Sequence, residues 1–359
     1  MTDLLQVAAE FALKGEAFSY SDYGSGHIHD TFLLESGDRR NPTRYVLQRL
    51  NTTVFAKPEA VQDNISRILE HLKKDPGSDH GFRDPEIIAT HDGRTLYVDR
   101  GGNYWRCYAY IEDAITLERV ENPEQAREAA LSFGMFTARL KDYDPRRLHI
   151  TIPNFMDVEW RQKQLAYTEF TQPGSRLKES QPELKKIRRL SDIPARFIKI
   201  RQALPDRVAH NDTKISNILF DVKSGKGISV IDLDTVMTGT LLTDFGDMVR
   251  SFTPSGDEDQ SRPEAFNCRE DVFEGIVTGY AEAVSPLITE VEKMNLLLGA
   301  KVVIYMQAMR FLTDYLKGDT YYKTSYADQN LHRTRNQLGL LESLLKKEEL
   351  LQGILKRSF

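Results

Sequence analysis

The sequence has little cysteine: Cys107 and Cys268 are its two, and neither sits in a CxxC pair. A disulfide framework and a thiolate zinc or redox site are therefore excluded, and both thiols are expected reduced in the core. There is no excess of basic charge either, since 48 Lys and Arg face 53 Asp and Glu for a net charge of −5. That balance offers no cationic field for nucleic acid or for an anionic membrane surface, so the expected partner is a small molecule. Long apolar runs are also missing. Residues 4–13 are interrupted by Glu10 and follow no basic stretch, which reads as an amphipathic helix rather than a secretion signal. Residues 296–306 are broken by Lys301 and fall short of a membrane span. A cytoplasmic protein is the expectation.

What is present is a globular composition, with 40% hydrophobic and 28% charged residues over 359 positions, enough for two lobes. From about residue 18 to 112, β-rich runs at 29–34, 45–50, 95–98 and 104–111 alternate with turn signals, and Pro58 opens one helix over 58–73. After Glu112 the texture becomes helical. Asn122 and Pro123 start a helix whose apolar positions Ala126, Ala130, Phe133 and Phe136 recur at helical spacing. Further helices are expected near 155–170, 181–203, 264–283, 289–317 and 329–352, with short strands near 207–209, 217–220 and 228–231. The reading is α+β: a small antiparallel-sheet lobe over 1–112 and a larger, mostly helical lobe over 113–359. The charged run 178–189 alternates with Glu183 and Leu184, as a solvated helix face does.

The chemistry concentrates in 207–250. His210, Asp212 and Asn217 stand in the spacing HxDxxxxN between two short strands, and an apolar strand then ends in Asp232 and Asp234. Phosphoryl transfer needs a carboxylate at the acceptor hydroxyl and oxygen ligands for magnesium, and these residues supply both types. Asp212 is the candidate base, and Asn217 and Asp232 are the candidate metal ligands. His210 reads as a structural ring that packs the loop, and Asp244 and Asp247 as cap or loop support.

This segment resembles the Brenner-type motif of the aminoglycoside phosphotransferase and choline kinase superfamily. The stretches YGSGHIHDTFLL, RYVLQRLNTTVF, AHNDTKISNILFD, VIDLDTVMTGTLLTDFGDMVR and MRFLTDYLKGDTYY are most similar to the bacterial N-acetylhexosamine 1-kinase family. The resemblance implies a protein-kinase-like two-lobed fold, ATP and magnesium as cofactors, and transfer to the anomeric hydroxyl of N-acetylglucosamine or N-acetylgalactosamine. It implies that Gly24, Ser25 and Gly26 cover the phosphates, and that His27, Arg310 and Tyr321 join Asp212 at the sugar. Gln48 stands where the wider superfamily holds ATP with lysine, and the helix acid that would pair with such a lysine, Asp63 or Glu70, stays open. Two alternatives remain. One is a kinase of another hydroxylated acceptor such as choline, homoserine, fructosamine or an aminoglycoside; the other is a non-catalytic nucleotide-binding pseudokinase. Polycationic acceptors would call for an acid-lined cleft, whereas the C-terminal helices offer Arg310, Lys317, Lys323, Arg333 and Arg335.

Overall fold

A computed structural model describes residues 3–24, 28–74, 81–256 and 266–359. The chain opens with a short helix, α1 (Leu4–Ala8), capped by Asp3, whose carboxylate accepts the Leu5 N–H at 3.1 Å. Strands β1 (Ala17–Asp22), β2 (Asp30–Ser36) and β3 (Thr43–Arg49) follow as antiparallel neighbours, then α2 (Pro58–Leu72) and the two-residue strands β4 (Ile87–Ile88) and β5 (Tyr97–Val98). β6 (Tyr104–Ala109) pairs with β3, β4 and β5 and completes a six-stranded sheet in the order β1-β2-β3-β6-β4, with β5 alongside β6. Alternation along the strands decides which face each residue takes. Leu34, Tyr45, Leu47, Trp105 and Cys107 pack under Val7, Ala8 and Phe11 on one face. On the other face Thr31, Gln48 and Arg106 stand in register across three strands, beside Leu33, Val46 and Tyr108.

The helix expected to ride on this sheet packs elsewhere. Val61, Ile65, Ile68, Leu69 and Leu72 of α2 belong to the core of the large lobe, and Asn64 donates to His149 O at 2.9 Å and Val236 O at 3.0 Å. The reason is amphipathicity. The sheet's outer face is already covered by α1, so the apolar stripe of α2 is buried against the helices.

Beyond Asp113, which adopts φ 57°, β7 (Ala114–Ile115) pairs with a strand of the large lobe. α3 (Pro123–Arg139) starts at Asn122, which accepts the Gln125 N–H at 3.0 Å. Helices α4 (Val158–Thr171), α5 (Ser175–Glu179), α6 (Gln181–Arg189) and α7 (Asp192–Arg201) follow, so the single helix expected over 181–203 is two. β8 (Arg207–Ala209), β9 (Ile218–Asp221), β10 (Gly227–Val230) and β11 (Met237–Gly239) form two small ladders, β10-β9-β7 and β11-β8. They bring the residues of the HxDxxxxN segment and of the Asp232 turn side by side. α8 (Leu241–Phe252), α9 (Glu270–Val284), α10 (Glu290–Leu316), α11 (Gln329–Lys346) and α12 (Glu348–Ser358) complete the lobe.

α10 is the central rod. By length and composition it could cross a membrane, yet 89% of its apolar stretch is buried inside the molecule, and Lys301 meets Glu348 at 2.6 Å. α8 lies on it backbone to backbone: a Cβ added at Gly246 would stand 2.6 Å from Gly299 O. Cys107 and Cys268 are both free and buried, as expected.

Candidate active site

The loop after β8 is held by its backbone. Asp244 accepts the N–H groups of His210 and Asn211, both at 2.8 Å, and its own carbonyl accepts the Thr213 hydroxyl at 2.7 Å. Asn211 adopts φ 64°, a left-handed conformation that asparagine tolerates, and its amide donates to Ala209 O and Thr235 O. The cap of α8 is Thr240 in a capping box, so Asp244 serves the loop rather than the helix end. Burial lifts its carboxyl to about 6. His210 accepts the Asp212 N–H at Nδ1 and reaches Ile231 O with Nε2 at 3.1 Å, an arrangement that suits the neutral ring protonated at Nε2. Its edges meet Phe133 and Phe136 at 5.3 and 6.0 Å. These contacts pack the loop, as the sequence suggested.

Asp212 points its Oδ2 at Lys214 Nζ, 2.9 Å away, and at Asn217 Nδ2, 3.0 Å away. Burial alone would raise its carboxyl, but the Lys214 ammonium and these hydrogen bonds hold it below the usual carboxylate range. Oδ1 makes no such contact among the described residues, so a hydroxyl proton can be accepted there. Asn217 spends its NH₂ on Asp212, donating also to Asp212 O at 2.8 Å, which leaves its amide oxygen for a hard cation. Asp232 stands at φ 58° with its side chain exposed. The surrounding protein, then the charges of Asp234 and Asp212, push its carboxyl above the usual range. Crowded carboxylates beside a free amide oxygen fit magnesium, whose charge would relieve them. Among the described residues no group of three or more His, Cys, Asp or Glu could hold a metal unaided. A magnesium ion held there would need further oxygen ligands, such as nucleotide phosphates supply.

Asp234 points away from this pair and into the small lobe. Arg106 grips it with both Nη atoms, Nη2 to Oδ2 at 2.8 Å, and His29 Nε2 reaches the same Oδ2 at 2.6 Å. Both partners are on the N-terminal side of the cleft. Gln48 accepts Arg106 Nε–H at 2.9 Å and donates to the Thr31 hydroxyl at 3.1 Å, so its amide is engaged within the sheet. Neither candidate helix acid faces Gln48. Asp63 meets Arg67 and His149, each at 2.8 Å, and Glu70 is exposed. Gly24 adopts φ 78°, and a side chain there would meet open space. Ser25, Gly26 and His27 lie outside the described residues.

Arg310 and Tyr321 fall in a second cluster. The Arg310 guanidinium lies 4.9 Å from the Phe155 ring and 5.7 Å from Tyr322, and donates to Gln307 Oε1 at 3.1 Å. Tyr321 is half exposed and meets Tyr322 edge-on at 4.8 Å. Buried Asp314 shapes this turn by accepting the N–H groups of Thr320, Tyr321 and Tyr322 at 2.8 to 3.0 Å. Arg161 of α4 joins the cluster, a residue the sequence reading missed. It donates to Phe155 O and Gln164 Oε1, but its Nε is buried with no partner among the described residues. Burial, then the charge of Arg310, lower its pKa to about 10. Neither arginine makes an ion pair among the described residues, whereas Arg335 is neutralised by Glu183 at 2.7 Å.

Comparison with known proteins bears on the family and the fold. The pattern of a phosphotransferase enzyme family matches residues 19–270. A microcompartment-associated aminopropanol kinase superposes with a TM-score of 0.67 at 17% identity, over 97% of this chain and 98% of the other. A spectinomycin phosphotransferase solved with ADP and spectinomycin gives 0.60 at 13% identity, over 95% and 98%. Choline kinase from Cryptosporidium parvum Iowa II gives 0.54 at 14% identity, over 94% and 93%. At these identities they establish the two-lobed kinase-like fold expected from the sequence.

Proposed function

The chain belongs to the phosphotransferase enzyme family, and from that premise we propose that it transfers the γ-phosphoryl group of ATP to the anomeric hydroxyl of N-acetylglucosamine or N-acetylgalactosamine. The observation that carries the phosphotransfer reading is the ionised Asp212, clamped on one oxygen by Lys214 and Asn217 and open on the other. Oδ1 would receive the acceptor proton while Lys214 keeps the carboxylate from drifting toward the cation. Asn217 and Asp232 would hold magnesium, which when bound neutralises charge between the phosphates. Gly24 would leave room for phosphate oxygens.

The acceptor class is inferred from charge. Two arginines with no carboxylate partner among the described residues, set among Phe155, Tyr321 and Tyr322, disfavour a cationic acceptor, whether a quaternary ammonium such as choline or a protonated amine such as an aminoglycoside. They favour a ligand rich in hydroxyl and carbonyl oxygen with an apolar ring face, as an acetamido sugar has. Arg310 and Tyr321 are assigned to that ligand by the same reasoning. A pseudokinase would have no use for the Asp212, Asn217 and Asp232 arrangement.

The test is sugar-dependent ADP release followed by phosphorus NMR of the product. Coupling of the phosphate to the anomeric proton is the expected result. A 6-phosphate, or turnover with choline or homoserine and not with either sugar, overturns the acceptor assignment while leaving phosphotransfer intact.

A further inference from the structure

We propose that Arg106 is a positioning residue for the magnesium-binding turn, holding Asp234 from the small lobe so that Asp232 is presented to the cation. The inference rests on the phosphotransfer reading but not on the identity of the acceptor. Asp234 is two residues beyond Asp232, and the intervening turn begins with Asp232 in a left-handed conformation, which aspartate tolerates better than most side chains and which the surroundings hold in place. Here the surroundings are specific. The Asp234 carboxylate is 1% exposed, and its partners Arg106 and His29 are 2% and 8% exposed. His29 is fixed in turn, accepting the Asn51 N–H at Nδ1 and stacking on Phe55 at 5.5 Å. Both oxygens of Asp234 are thereby directed toward the sheet, which leaves Asp232 as the carboxylate turned to the cleft.

The same network accounts for Gln48. Gln48 and Arg106 are directly opposite in the β3–β6 register, and the Gln48 carbonyl accepts Arg106 Nε–H. A lysine at 48 would set an ammonium against that guanidinium, and like charges directly opposite in a sheet are destabilising. The lobe needs one cation on this face. Arg106 provides it, spent on a carboxylate of the other lobe rather than on the nucleotide, and glutamine is the neutral neighbour that completes its hydrogen bonds.

The variant Arg106→Gln alone strands a buried carboxylate, so the informative chain is the double variant Arg106→Gln with Asp234→Asn, which removes both charges together. Calorimetric titration with ADP, with and without magnesium, reads the effect independently of turnover, and a melting curve confirms that the protein is folded. The expected result is a folded double variant whose affinity for metal-free ADP is nearly unchanged, while the gain in affinity conferred by magnesium falls about 10- to 100-fold, the range for residues that orient a metal ligand. Gln48→Lys in the parent should weaken the same gain rather than improve nucleotide binding. An unchanged magnesium gain in the folded double variant overturns the proposal, as does an equal loss of metal-free ADP affinity, which would mean that Arg106 touches the nucleotide itself. No magnesium-dependent nucleotide binding by the parent would remove the phosphotransfer reading instead, and the proposal with it.

Discussion

Arg106 and Arg161 are both withdrawn from water, yet the surroundings they meet are opposite. Arg106, between the lobes, has its Nη atoms on Asp234 and its Nε on Gln48. Arg161, between α4 and α10, has a carbonyl, an amide and another arginine for neighbours, and one N–H with no acceptor. A buried charge that the fold has fully answered is part of the scaffold. A buried charge left unanswered costs stability in the free protein, and a ligand that supplies the missing acceptor recovers that cost. The first region should therefore govern stability and metal geometry, and the second should govern the acceptor.

The largest effect should come from the residue on which both regions converge in function. Asp212→Asn should lower sugar-dependent ADP release by roughly 10²- to 10⁴-fold with an unchanged melting curve; turnover near that of the parent would take Asp212 out of the role of base. Next, Arg106→Ala should cost about 3 to 5 kcal/mol in denaturant unfolding, because Asp234 would stay buried with His29 alone. An intact unfolding midpoint would mean that the carboxylate finds water.

Arg161→Gln should do the reverse. Its melting temperature should hold or rise, since the repulsion with Arg310 is relieved. Its kcat/KM for the sugar should fall about 10- to 100-fold, matching the roughly 1.5 to 3 kcal/mol of a charged hydrogen bond, with the ATP constant unmoved. A drop in stability equal to that of the Arg106 variant would erase the contrast between the regions.

The smallest effect is a titration. Burial opposes ionisation of Asp99, but Asn103, Trp105 and the Gly101 N–H hold its carboxyl at about 2. The folded value is depressed, so the stabilisation is complete above the unfolded value near 4 and is lost as pH falls toward 2. Asp99→Asn should remove about 2 kcal/mol of that acid dependence in unfolding curves from pH 5 to 2. A parallel acid limb in the variant would assign the loss to other carboxylates.

The spacing of His210, Asp212 and Asn217 and the apolar strand before Asp232 were legible because loop, ligand and strand are contiguous in the chain. The long helices were legible from their period. Arg106 was not, since its partner Asp234 lies 128 positions after it and only the packing of the two lobes joins them. One signal was available: Arg106 is the lone charge in the strand YWRCYA, on the side opposite the buried Trp105 and Cys107. Arg161 gave none. In WRQKQ it looks like any solvated helix residue, and its burial depends on Phe155 and the distant turn at Tyr321 and Tyr322. The break between α6 and α7 and the allegiance of α2 were equally hidden, because both depend on which neighbours were already covered.

The glycine contact between α8 and α10 bears on how this enzyme could be re-engineered. Asp244 of α8 fixes the loop that carries Asp212, while α10 carries Arg310, and the two helices meet at Gly246 and Gly299, where a Cβ on either would strike the other helix's backbone. The spacing of the two helices that carry Asp244 and Arg310 is thus gauged by main chain, like the fixed jaw of a caliper. Gly246→Ala would wedge the helices apart and reset that gauge, whereas trimming the pocket rings would leave it untouched. A campaign to broaden the acceptor range should begin at the rings and treat the glycine pair as the calibration it must not disturb.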